Sequence, residues 1–178
     1  MKTFLKRIKL IDHFTTDIEI LKSEFVSKFR RHVDEGTTGM FSDTFDVFSS
    51  SKNVYKGHVG MEGFKIKRRR KFFDMNMNLA IASGTYNQKD EKLIIETEIN
   101  GFSGMMIPFY IFLLIFYSIF IIGFLMTDEI GGNAPGLFLP FILIHGLFML
   151  GIPYFMMKRS TKNLKHELER EFYYMTKK

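Results

Sequence analysis

The sequence predicts an α+β membrane protein in which one helix lies on an antiparallel β-meander, followed by a transmembrane helical hairpin and a C-terminal amphipathic helix. Three observations predict it. Two long, uncharged apolar stretches lie close together in the C-terminal half. The residues before them alternate apolar and polar at the period of half-buried strands. The residues after them are charged again and carry apolar side chains at every fourth position. The mean hydropathy of +0.01 averages over these unlike segments. The division expected is a cytosolic α+β domain over 1–103, transmembrane helices over 104–126 and 137–157, an external loop over 127–136, and a cytosolic helix over 158–178.

The N-terminus, MKTFLKRIKLIDHF, is basic. Lys6, Arg7 and Lys9 interrupt every apolar run, so it lacks the core of about 7–15 apolar residues of a secretory signal. It reads as mature sequence, with a strand over Phe4–Phe14. Residues 16–35 read as a helix. Thr16 and Glu19 form a T-x-x-E capping box, and Ile18, Leu21, Phe25, Phe29 and Val33 share a face. Gly36 suits its end.

Residues 37–44 read as a loop, and Phe45, Val47 and Phe48 begin a short strand. Further strands follow over 54–60 and 63–70, joined at Met61-Glu62. Phe64 and Ile66 alternate with Lys65 and Lys67. Strands over 79–88 and 92–99 flank a turn at Asn87–Glu91. In the last strand Ile95, Thr97 and Ile99 take one face, and Glu96 and Glu98 the other. Gly57, Gly60 and Gly63 read as turn and bulge glycines. Asn100-Gly101-Phe102 leads into the first span with almost no linker, which predicts a sheet held against the membrane surface.

Each apolar stretch reaches the length of about 20 residues that a helix needs to cross the hydrocarbon core. The connecting loop carries Asp128 and Glu129 but no Lys or Arg, whereas the tail opens with Lys158, Arg159, Lys162 and Lys165. The positive-inside rule then places both termini in the cytoplasm, in a cytoplasmic (inner) membrane. His145 is the strongly ionisable side chain at membrane depth. It reads either as a functional group or as a neutral partner of Tyr117 or Ser118 that holds the hairpin together. Pro108, Pro140 and Pro153 mark kinks or span ends. Ser118, Gly123, Gly146 and Gly151 would allow close helix approach.

The segment YKGHVGMEGFKIKRRRKF, the Gly84 strand, the strand KLIIETEI and the two apolar spans together resemble a diffuse set of uncharacterised small bacterial membrane proteins. These pair a short β-rich cytosolic domain with a transmembrane hairpin. The resemblance covers residues 54–157. It implies the architecture and carries no catalytic residues.

Lys65, Lys67, Arg68, Arg69, Arg70 and Lys71 place six cations within seven residues. They read as an anionic-lipid contact or as a solvated strand edge; the short tether disfavours nucleic acid. The tail places Leu164, Leu168 and Phe172 on one stripe, expected to pack on the cytosolic domain or a partner. The chain has no cysteine, which excludes thiolate metal sites and cysteine nucleophiles. His13, His32, His58, His145 and His166 show no metal-ligand spacing, and no phosphate loop or nucleophile elbow occurs. No metal, cofactor or catalytic residue is therefore expected. The expected function is a non-catalytic membrane protein that binds a protein partner or its own copies. The alternatives are lipid or amphiphile binding between helix and sheet, and a lipid-modifying enzyme.

Overall fold

The computed structural model describes residues 1–39, 51, 53–69, 79–126 and 135–176. The chain divides into two compact units, residues 1–102 with 156–178, and residues 103–155.

The first unit starts with a helix where a strand was expected. Helix α1 (Lys2–Arg7) ends in a turn in which Lys9 takes a φ of 59°. Strand β1 (Ile11–Ile18) then runs through Thr15 and Thr16, the residues expected to begin a long helix. β-Branched side chains explain the shift: Ile11, Thr15, Thr16 and Ile18 favour the pleated surface, whereas Phe4–Arg7 contains none. The helix expected over 16–35 is shortened at both ends to α2 (Lys22–Arg31), and Val33–Glu35 forms strand β2. Thr16 and Glu19 make no capping box. Leu21 is the N-cap and is exposed, and the Lys22 N–H donates to Gln88 Oε1 at 2.8 Å.

Strands β3 (Tyr55–Val59), β4 (Gly63–Arg68), β5 (Ile81–Lys89) and β6 (Lys92–Asn100) form the expected antiparallel meander. Two more strands extend it to a six-stranded mixed sheet of order β1-β6-β5-β4-β3-β2. β1 pairs antiparallel with β6, and β2 pairs parallel with β3. The β5–β6 turn is tighter than expected, with Lys89 opposite Lys92 and Asp90 at φ 52°. The strand expected at Phe45–Phe48 lies outside the described residues, as does most of the loop over 37–44.

Register places Phe14, Thr97, Gly84, Phe64 and Val59 in one row across the sheet. Gly84 is required there, because a Cβ would overlap the Phe64 ring. Gly57 has φ 151°, and a side chain there would also meet the Lys65 carbonyl. The core lies on this face of the sheet. Phe25, Val26 and Phe29 of α2 cover it together with Leu164, Leu168, Phe172 and Met175.

The last four residues belong to a helix that starts far upstream. Helix α4 (Pro135–Thr176) is continuous over 42 residues, with Pro140 and Pro153 inside it. The second apolar stretch and the tail are thus one helix rather than two, and Pro135 and Gly136 of the expected loop belong to it. Residues 127–134 of that loop lie outside the described residues.

In the second unit, α3 (Met106–Met126) faces the N-terminal part of α4. Leu113 and Ile142 are buried in the seam, and Tyr117 meets His145 across it. Most other apolar side chains are exposed, including Phe112 (64%), Leu114 (69%), Leu147 (73%) and Phe155 (66%). Both helices are long and apolar enough to cross a membrane.

Candidate functional site

The basic run does not form one solvated row. On a strand, neighbouring residues point to opposite faces, so the cations separate. Lys65 is exposed. Lys67 is buried and its Nζ donates to the Gly39 carbonyl at 2.8 Å. Arg68 turns to the core face and pairs with Glu167 of α4. Arg69 is buried, 2.7 Å from Asp34 Oδ2, and Asn53 Nδ2 donates to Asp34 Oδ1 at 2.6 Å. A hydrogen bond from the Ser51 hydroxyl holds the Asp34 carboxyl below its usual range. Asn53 and Arg69 add to it, and together they outweigh the opposing effect of burial. Burying a charged group is tolerated only when it is paired. Lys67, Arg68 and Arg69 therefore tie β4 to Gly39, to Glu167 of α4 and to Asp34 of β2. Arg70 and Lys71 lie outside the described residues.

The tail stripe enters the core completely. Leu168 and Phe172 have no exposed surface and Leu164 has 3%. Phe172 touches Phe14, Phe25, Phe29 and Phe64, with ring centroids 5.4–6.2 Å apart. Tyr86 lies beside Phe25 and Phe64, and burial raises its phenol pKa.

Polar contacts missed from the sequence fasten the same helix. Ser160 Oγ accepts the Leu79 and Ala80 N–H groups, both at 3.0 Å. The Thr161 hydroxyl donates to Met157 O at 3.0 Å and approaches Leu10 O at 3.4 Å. Lys165 reaches Asp12 Oδ2 at 3.0 Å. Burial pulls the Asp12 carboxyl upward, but Lys165 and the His13 N–H outweigh it and hold it low. A signal existed: stepping back four residues from Leu164 along the stripe lands on Ser160.

In the hairpin, the Tyr117 hydroxyl and His145 Nδ1 lie 2.6 Å apart. Phe141 stacks on the His145 ring at 6.0 Å. Ser118 is exposed and donates to Leu114 O of its own helix at 2.8 Å, so it takes no part in the pair. Gly146 faces the Tyr117 ring, whereas Gly123 faces open space.

The opposite face of the sheet is polar. His13, Thr15, Ser83, Thr85, Glu96 and Glu98 line a shallow depression of about 340 Å³. His13 Nε2 and Lys2 Nζ lie 3.5 and 3.4 Å from the Glu98 carboxylate. Among the described residues, no three His, Asp or Glu side chains gather as a metal-ligand set. Compared with protein-family models, curated proteins and solved structures, the chain matches none.

Proposed function

We propose that this chain is a non-catalytic integral membrane protein of the cytoplasmic membrane. In this reading α3 and the N-terminal part of α4 span the bilayer as a hairpin, and both termini are cytoplasmic. Its folded unit serves binding or assembly, with a protein partner or a second copy. The observation that carries the reading is the exposure of the two apolar helices. A helix in the core of a soluble protein buries its apolar surface, whereas these bury a narrow seam and expose Phe112, Leu114, Leu147 and Phe155. Exposed apolar area on that scale, on helices of spanning length, supports a lipid surround. The orientation rests on the cations of the tail and the acidic loop. Binding of an amphiphile between helix and sheet has less support, because the rings of Phe25, Phe29, Phe64 and Phe172 fill that layer.

The test is extraction of membranes from cells expressing the full chain. The protein is expected to stay with the membrane after an alkaline carbonate wash and to dissolve only in detergent. Release by carbonate alone contradicts the reading.

A further inference from the structure

The first strand of the sheet carries an open edge. β1 lies at one end of the strand order and pairs only with β6 among the described residues. It has eight residues, an unbroken register and neither Pro nor Lys, the usual guards of an exposed edge. The opposite edge, β2, has three residues.

Backbone groups of alternate residues in an antiparallel pair point towards and away from the partner strand. Leu10 O takes the Gly101 N–H, which turns the even-numbered residues of β1 towards β6. The His13 N–H points the other way and is taken by the side chain of its neighbour, Asp12, at 2.8 Å. The outward groups therefore belong to Ile11, His13, Thr15 and Asp17. Asp12 caps the first part of this edge. Beyond it, the side chains of Thr15 and Asp17 are exposed, and among the described residues no strand or backbone hydrogen bond meets their outward N–H and C=O groups.

We propose that this edge pairs with the same edge of a second copy, antiparallel about a two-fold axis at Thr15. The inference deepens the assembly reading and rests on it. In this register Thr15 lies opposite itself, and its backbone exchanges both hydrogen bonds with its copy. His13 of each chain lies opposite Asp17 of the other, on the polar face of the sheet, so the axis sets two complementary pairs. A register centred on Phe14 instead sets Asp17 opposite Ile11, without that complementarity.

The chain has no cysteine, so a single introduced thiol reports on its own position. The full chain in lipid nanodiscs or mild detergent, carrying Thr15→Cys, is treated with a short bis-maleimide. Efficient cross-linking to a dimer is expected. Ser83→Cys, on the polar face of the internal strand β5, is expected to give little. Asp17→Lys added to Thr15→Cys should cut the dimer yield by roughly tenfold, through two lost cross-strand pairs and a cation on the edge. Asp17 is exposed, and an unchanged thermal melt separates lost pairing from lost folding. Absence of cross-linking at Thr15, equal yields at Ser83, or a yield indifferent to Asp17→Lys overturns the proposal. A chain that resists carbonate yet shows none of this pairing loses the edge inference alone. A chain released by carbonate loses the membrane reading beneath it.

Discussion

Phe172 and Phe25 meet edge to face, with ring centroids 5.5 Å apart and planes at 75°. One ring comes from the last turns of α4 and the other from α2, so the C-terminal helix closes a core begun at the opposite end of the chain. Edge-to-face pairs add about 0.5–1.5 kcal/mol beyond the area they bury. Phe172 makes several such contacts, and the folded unit is therefore incomplete without the tail.

Leu168→Ala tests that dependence. Leu168 is fully buried, and truncating a packed leucine costs about 2–5 kcal/mol. The thermal midpoint of the purified chain should fall, and the tail should become accessible to protease. Glu169→Ala, off the stripe, should change neither. An unchanged melt for Leu168→Ala contradicts the closed core.

Thr97→Val should act in the opposite direction. Thr97 is 2% exposed and its hydroxyl has no hydrogen-bond partner among the described residues. Replacing that hydroxyl by a methyl keeps the shape and the β-branch and removes a desolvated polar group. A gain of about 1 kcal/mol is expected in chemical denaturation. A loss of stability indicates that the hydroxyl is satisfied in solution.

Acid should loosen the sheet at the Asp34 and Asp12 contacts. Both carboxyls are held below their ordinary range. A carboxyl with a lowered pKa in the folded state stabilises the fold above the unfolded value of about 3.9, and that contribution disappears as pH falls through the folded value. The thermal midpoint should drop as pH is lowered from about 5 towards about 2. Asp34→Asn should be less stable at neutral pH and show a shallower acid slope. An identical slope in the variant assigns the acid response to other groups.

The hairpin should depend on the Tyr117–His145 contact. Interhelical hydrogen bonds in membrane proteins contribute about 0.6 kcal/mol on average and up to about 1.7. Tyr117→Phe should weaken the hairpin by that order in a detergent-unfolding titration. His145→Leu should then add little to Tyr117→Phe, because the two changes remove one contact. Additive losses indicate separate roles.

The parts of the fold legible in the sequence were those set by short-range pattern. The alternation of Phe64, Ile66, Ile95, Thr97 and Ile99 marked strands whose partners are their sequence neighbours. The spacing of Leu164, Leu168 and Phe172 marked the buried face of the tail. β1 and β2 were hidden because their partners are remote. Ile18 lies opposite Leu93 and Val33 opposite Tyr55, but their spacing also continues the helical face of Phe25 and Phe29, which masked their β-branched preference for a strand. The partners of the basic run were hidden for a related reason. Lys67, Arg68 and Arg69 look like one basic run until the sheet places Gly39, Glu167 and Asp34 beside them. The Tyr117–His145 pair was legible because an apolar stretch leaves a histidine few polar partners, and Tyr117 and Ser118 are the polar side chains near the middle of the other stretch.

Site-directed thiol labelling tests the membrane hairpin most directly. The cysteine-free chain can carry Gly132→Cys in the segment between the helices, or Tyr173→Cys near the C-terminus, where Tyr173 is exposed. Intact cells or spheroplasts are treated with a membrane-impermeant maleimide. The account predicts labelling at position 132 from outside, and labelling at position 173 only after the membrane is opened. Labelling of both positions from outside, of neither, or of position 173 alone contradicts it.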